Sequence, residues 1–151
     1  MNKVTKPELV AWPKKTTIAC CISAVAMIAV CSFVATALHG ETEGGGVFHA
    51  ADQYAMVGLG LLLAAGIMLF ARPRVWVTPR SVRVRNVIGS YDLPWEVVTA
   101  VAFPPGASWA QLELADDDMV SVMAIQAVDK DRAVAAVRRL REAFDTHRSP
   151  H

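Results

Sequence analysis

Five arginines lie within 14 residues of this sequence and form a group of potential ligand-binding side chains; they are Arg72, Arg74, Arg80, Arg83 and Arg85. Guanidinium groups bind phosphate and carboxylate through paired N–H donors. Each basic group close to an anionic bilayer contributes about 1 kcal/mol of attraction. The group can therefore contact lipid headgroups or a partner. A membrane-topology signal followed by an ordinary solvated strand face explains the same residues.

Other reactive residue types lack the spacing that catalysis or metal binding requires. The chain has no GxSxG, HExxH or phosphate-loop motif. Cys20, Cys21 and Cys31 lie in one apolar stretch, without zinc spacing, and are predicted to pack as small apolar residues. Residues 116–118, three aspartates in a row, predict a tight turn rather than a calcium loop. We expect no enzymatic activity, no cofactor and no metal site.

The polar segment between two apolar stretches contains two histidines and three acidic residues: His39, Glu41, Glu43, His49 and Asp52. Their spacing does not match that of metal ligands, so a solvated turn is predicted there. The apolar stretches run from Thr17 to Leu38 and from Gln53 to Ala71, and neither contains a charge. About 20 helical residues cross a hydrocarbon core of roughly 30 Å. The sequence therefore predicts two transmembrane helices, and the absence of charge within them argues against a transport path.

The predicted division of the chain follows from these stretches. It comprises an N-terminal tail (1–15), a first span (16–38), an extracytoplasmic loop (39–52), a second span (53–71), a domain (72–146) and a tail (147–151). Lys and Arg lie before the first span and after the second span, whereas the loop between the two spans is acidic. Short segments rich in Lys and Arg stay cytoplasmic, so both termini are predicted to be cytoplasmic, with the protein in the plasma membrane. A cleaved signal peptide is the alternative for the first span, because Ala35-Thr36-Ala37 resembles a cleavage site.

Small residues on the second span predict close helix packing. Gly60 and Ala64 form a small-xxx-small pair, which allows two helix backbones to approach each other. The pair can serve the hairpin formed by the two spans or a homo-oligomer.

Beyond Arg72 the pattern changes to alternation, which predicts short strands. Apolar positions alternate with Arg83 and Arg85, and turn residues separate the segments. A helical stripe of apolar residues follows, with Asp129 as its predicted N-cap. Several antiparallel strands closed by one helix are typical of a small α+β barrel or sandwich. The charges of this half nearly balance, with 11 Lys plus Arg against 10 Asp plus Glu from Arg72 onward, so nucleic-acid binding is not expected.

Three segments of this half carry a resemblance to a family: VWVTPRSVRVRN (75–86), LPWEVV (93–98), and LELADD with AIQ (112–117, 124–126). They resemble the bacterial pleckstrin-homology-like (PH) domains of actinobacterial membrane proteins, and are similar to the low-molecular-weight antigen 6 group. The resemblance covers residues 74–144. It implies a bent antiparallel sheet capped by a C-terminal helix, and a non-enzymatic domain that binds lipid, peptide or protein.

Two functions follow as expectations. The first is a membrane-anchored interaction module at the cytoplasmic face, with an unidentified protein partner and Trp109 as a candidate anchor in the partner surface. The second, the alternative, is a sensor of anionic lipid headgroups that uses the strand face of Arg83 and Arg85. Trp95 is predicted to belong to the core rather than to a ligand site.

Overall fold

The computed structural model describes residues 7–37 and 49–148. The rest of the chain lies outside the described residues, including most of the predicted loop, with His39, Glu41 and Glu43, and the end of the predicted tail (149–151). The described residues form two compact units: residues 16–71, and the segments that precede and follow them along the chain.

The first unit is a helical hairpin. Helix α1 spans Lys14–Ala37, and helix α2 spans Ala50–Met68 and continues as a 3₁₀ turn over Leu69–Ala71. Both helices are long and apolar enough to cross a membrane. Two residues of the predicted loop, His49 and Asp52, form the start of α2. The Asp52 carboxylate accepts a hydrogen bond of 2.8 Å from the backbone N–H of His49.

The small residues of α2 face α1. A Cβ added at Gly60 would lie 2.7 Å from Cys31 Cβ, so only glycine permits this approach. Gly60 and Ala64 are both buried, as are Cys20 and Cys31. The small-residue face therefore serves the hairpin, and a homo-oligomer through Gly60 and Ala64 stays a prediction. Cys20 and Cys31 pack as predicted, whereas Cys21 is exposed.

The second unit begins with a four-stranded antiparallel sheet, whose strands lie in the order β1-β2-β3-β4. Their bounds are β1 Glu8–Ala11, β2 Arg74–Val77, β3 Ser81–Arg85 and β4 Ser90–Pro94. Strand β1 lies within residues 1–15, which the sequence predicts to be a tail. It pairs with β2, which follows it only after the whole helical hairpin. The hairpin is therefore an insertion between two neighbouring strands of one sheet.

A three-stranded antiparallel sheet and one helix complete this unit. The strands β5 (Val98–Ala102), β6 (Trp109–Leu114) and β7 (Met119–Gln126) pair in sequence order, and helix α3 spans Asp131–Arg148. The turn predicted at residues 116–118 is confirmed, since the N–H of Leu114 donates to the carbonyl of Asp118 at 2.9 Å. Asp129 is not the N-cap of α3: it lies in a 3₁₀ turn (Ala127–Asp129), and Lys130, with φ of 49°, separates it from the helix.

Side chains from both sheets and from α3 form one hydrophobic core. Trp95, which is 2% exposed, lies in a 3₁₀ turn between the sheets and packs on Phe144 of α3, with ring centroids 6.1 Å apart. Its indole N–H donates to the carbonyl of Thr78 at 3.0 Å, so the buried polar atom is satisfied. The prediction that Trp95 belongs to the core is confirmed, as is the α+β fold class with two preceding apolar helices.

Candidate functional site

Strand register divides the five arginines among three places. Arg74, at the start of β2, is the cross-strand partner of Arg85, at the end of β3. Their neighbours Val75 and Val84 are buried in the core, so both arginines lie on the outer face of the four-stranded sheet. Arg72, which is exposed, precedes them by two residues along the chain. These three arginines form a basic group at one end of the sheet.

Arg83 lies on the same outer face but is paired with an acid. It is opposite Asp92 of β4, whose Oδ2 accepts hydrogen bonds from Arg83 Nη2 at 2.7 Å and from Nε at 3.2 Å. The hydrogen bond from Arg83, followed by one from the Ser81 side chain, lowers the pKa of Asp92 below its ordinary value. Both side chains are about half exposed, so the pair is a surface ion pair.

Arg80 lies at the opposite end of the sheet from Arg74 and Arg85. It belongs to the turn between β2 and β3, where Val77 pairs with Val82. Five residue steps separate Arg80 from Arg85, about 16 Å at the usual rise of a strand. Its side chain is exposed, while its backbone carbonyl accepts from the N–H of Trp95 at 3.1 Å. The five arginines are therefore divided between the two ends of the sheet, and their contact with lipid or a partner stays a prediction.

Trp109 lies in the other sheet, as the first residue of β6, and it is half-buried. It lines a small depression with Ser108 and with residues 126–128, and no arginine contributes to this depression. The predicted candidates thus occupy separate parts of the domain, and Trp109 does not extend the arginine group.

A groove with a volume of about 720 Å³ runs along α3. Its apolar lining includes Phe103, Ala133, Val134 and Val137, and Val134 is 61% exposed. Charged side chains of both signs surround this lining; they are Lys130, Asp131, Arg138, Arg141, Glu142 and Asp145. Arg141 is held in place, since its Nε donates to the carbonyl of Val101 at 3.1 Å. An apolar centre with a mixed polar rim is the usual composition of a protein-binding surface.

Comparison with known proteins identifies the family. A model described as bacterial PH domain matches residues 72–143. Proteins of Mycobacterium bovis and Mycobacterium tuberculosis, each described as uncharacterised, are 46% identical over 126 residues, which cover 83% of this chain and 82% of the relative. The chain belongs to the bacterial PH-domain family. No solved structure matches it. The narrower resemblance to the low-molecular-weight antigen 6 group stays a prediction.

The PH domain extends beyond the matched residues, because it recruits the segment before α1. Asp129, which is buried, accepts a hydrogen bond of 3.2 Å from the backbone N–H of Lys15. Helix α1 has no acid of its own in the first turn, so Asp129 supplies the negative charge favoured at a helix N-terminus. Nearby, the guanidinium of Arg132 lies 5.4 Å from the ring centroid of Trp12, within the range of a cation–π contact.

The PH-domain family is typically non-catalytic. No group of three or more His, Cys, Asp or Glu side chains in residues 7–37 and 49–148 could hold a metal ion. No buried side-chain N or O atom in this part of the chain lacks a hydrogen-bond partner.

Two features of the PH domain were missed from the sequence, and one of them had a detectable signal. The pairing of Arg83 with Asp92 follows from the hairpin register once a turn is placed at residues 86–89. In an antiparallel hairpin the residue numbers of directly paired residues have a constant sum, so the position of the turn determines each partner. Strand β1 had no such signal. Its four residues, Glu8–Ala11, are too few to show alternation, and their partners lie beyond the helical hairpin.

Proposed function

We propose that this protein is a membrane-anchored, non-enzymatic interaction module, whose PH domain lies at the cytoplasmic face of the plasma membrane. One observation carries the proposal: β1 and β2, which flank the helical hairpin in the chain, are paired in a single sheet. Hydrogen-bonded strands lie on the same side of a membrane. The segment between them must therefore cross it an even number of times, and two apolar helices meet this requirement.

The same pairing supports retention of the first span. Cleavage after the Ala35-Thr36-Ala37 pattern would remove β1, and with it Val10 and Ala11, which pack against the core. The edge of β2 would then lose its backbone partners, and an unpaired edge invites aggregation. Cleavage of the first span as a signal peptide would therefore destabilise this fold.

Charge supports the cytoplasmic side. Lys14 and Lys15 lie at the start of α1, and Arg72 and Arg74 follow the end of α2 closely. The connection between the helices carries acids and no Lys or Arg. Positively charged flanks remain cytoplasmic, so we propose that both termini and the PH domain are cytoplasmic.

The groove along α3 supports a protein partner. Its lining is apolar around Phe103 and Val134, and its rim carries charges of both signs. This arrangement suits a protein segment with an apolar centre and charged flanks, and it offers no convergent set of cations for a phosphate. The alternative, an anionic-lipid sensor on the strand face of Arg83 and Arg85, is not favoured, because Asp92 neutralises Arg83.

Site-specific photocrosslinking in native membranes tests the proposal. A photoreactive amino acid at Val134 places the probe in the groove, and the same amino acid at Glu113, which is exposed on β6, is the matched control. We expect one protein to be crosslinked at position 134 and not at 113, and to be lost when Phe103→Asp alters the groove. Equal products at both positions, or none at 134, would remove the groove as the partner surface.

A further inference from the structure

The tip of the β3–β4 hairpin carries the most exposed large apolar side chain among the described residues. Ile88 is 88% exposed, more than Phe33 of the first apolar helix, at 73%. A single exposed apolar residue needs no explanation by itself. Ile88 is unusual because of the construction of the turn that carries it and because of the end of the sheet at which that turn lies.

The turn that carries Ile88 is held closed. The N–H of Asn86 donates to the carbonyl of Gly89 at 3.1 Å, and Gly89 has φ of 88°, a conformation that favours glycine. The buried Asn86 side chain donates to the carbonyl of Ser121 at 2.8 Å and accepts from the N–H of Met123 at 3.2 Å. These bonds tie the base of the tip to β7, so Ile88 is presented to solvent by a fixed backbone.

Strand register places this tip at the end of the sheet through which the chain passes to its apolar helices. Ala11 pairs with Val75, Arg74 with Arg85, and Arg85 with Ser90. The end of β1, the start of β2 and the β3–β4 tip therefore lie at the same end. Only residues 12–13 separate β1 from α1, and only residues 72–73 separate Ala71 from β2. Three residue steps extend over at most about 11 Å.

The side chains around this end suit a bilayer interface. Arg72, Arg74 and Arg85 supply positive charge, and Arg85 is opposite Ser90 rather than an acid. Tyr91 and Trp12 are exposed at the same end, and both residue types concentrate at the headgroup level of membranes. An apolar tip at the same end of a sheet as several cations and amphipathic aromatic residues matches the composition of interfacial membrane anchors.

We propose that the Val87-Ile88 tip inserts into the cytoplasmic headgroup region of the same bilayer that its helices cross, with Arg72, Arg74 and Arg85 contacting lipid phosphates around it. This inference rests on the proposed function, since it requires the helices to be in the membrane. This proposal differs from lipid recognition by the strand face of Arg83 and Arg85, because here the part of the domain that contacts lipid is the apolar tip at one end of the sheet. The tip fixes which surface of the PH domain meets lipid and leaves the α3 groove for a protein.

Nitroxide labels on the full chain, reconstituted into vesicles of phosphatidylcholine and phosphatidylglycerol, test this inference. Cys20, Cys21 and Cys31 are first replaced by Ala, and single cysteines are introduced as Ile88→Cys and Arg80→Cys. Arg80 is the matched control, since it is exposed in the turn at the opposite end of the sheet. Oxygen concentrates in the bilayer, whereas a charged nickel chelate stays in water. We expect the ratio of oxygen to nickel accessibility to be severalfold higher at position 88 than at position 80.

A third label separates failure of the inference from failure of the proposed function. This label is attached at Leu62→Cys, because Leu62 is exposed on α2. If position 62 is in lipid while position 88 matches position 80, the tip inference is overturned and the membrane anchor stands. If position 62 is accessible to the nickel chelate, both fail.

A substitution pair tests whether Ile88 itself drives insertion. With the label moved to Tyr91→Cys, Ile88→Asp should lower the oxygen preference at position 91 severalfold, whereas Ile88→Leu should preserve it. Both variants should unfold at the parental temperature, because the side chain contacts little in the fold. An unchanged preference at position 91 in Ile88→Asp would overturn the inference.

Discussion

Arg74 and Arg85 are direct cross-strand partners at one end of the four-stranded sheet, on its outer face, where Arg74 Nη1 also donates to the carbonyl of Pro73 at 2.8 Å. Like charges opposite each other in a sheet are destabilising. Such an arrangement is expected where a surface meets anions rather than where a fold is optimised for its own stability. It connects the architecture of the PH domain with its proposed position at a membrane.

Arg85→Glu should stabilise the isolated fold. A carboxylate opposite Arg74 replaces a repulsive pair by an attractive one, worth about 0.2–1 kcal/mol. We expect a small rise in the thermal midpoint of the detergent-solubilised protein at low salt, and a smaller rise at high salt. Arg80→Glu, at the other end of the sheet, is the control and should leave the midpoint unchanged. A fall in the midpoint for Arg85→Glu would show that Arg74 and Arg85 do not repel each other.

The ion pair of Arg83 and Asp92 should make a contribution to stability that depends on pH. The folded-state pKa of Asp92 is lowered, so the contribution is present above the ordinary Asp pKa of about 3.9 and is lost as pH falls below it through the folded-state pKa. Since both side chains are about half exposed, Asp92→Asn should cost under about 1 kcal/mol at pH 7.

Chemical unfolding of the parent and of Asp92→Asn across pH 7 to pH 3 measures this contribution. The stability difference should shrink toward zero at the acid end. In an Arg83→Gln background the same substitution should cost much less at pH 7. A difference that grows as pH falls would contradict the assigned direction of the pKa change.

The strand and helix pattern from residue 74 onward could be predicted from the sequence, because alternating valines and a helical stripe are local signals. Trp95 could be assigned to the core, since a large aromatic residue beside a strand end is most often buried. Strand β1 could not be predicted, because its partner residues in β2, such as Val77, lie beyond the whole helical hairpin along the chain. The separation of the arginines likewise requires register: proximity in sequence grouped Arg80 with Arg85, whereas the sheet places them at opposite ends.

Trp95→Ala should be the most destabilising single change in the PH domain core. It removes a nearly fully buried indole, its packing on Phe144 and the hydrogen bond to Thr78. Large-to-small changes of this kind cost about 3–5 kcal/mol. Trp95→Phe retains most of the apolar contact but leaves the Thr78 carbonyl without this donor, at about 1–3 kcal/mol. Denaturant unfolding monitored by far-UV circular dichroism should rank the parent above Trp95→Phe and Trp95→Ala last.

Gly60→Val should weaken the helical hairpin, because its Cβ would overlap Cys31. Forcing extra atoms into a packed contact costs about 1–3 kcal/mol. The matched control is Gly58→Val, since nothing lies within 4 Å of a Cβ at Gly58. Thermal unfolding in detergent should lower the midpoint for Gly60→Val only. Cys31→Gly should restore part of the loss, and equal effects at positions 58 and 60 would argue against the packing of α1 on α2.

The central claim is that β1 and the C-terminal half form one domain on the cytoplasmic side, with the two helices as an insertion between them. Cysteine accessibility in intact cells tests it most directly, with Cys20, Cys21 and Cys31 replaced by Ala and single cysteines introduced as Glu8→Cys, Thr42→Cys and Glu113→Cys. A membrane-impermeant maleimide should label only position 42 in intact cells, and should label positions 8 and 113 only after the membrane is permeabilised. Labelling of position 8 or position 113 in intact cells would contradict the account.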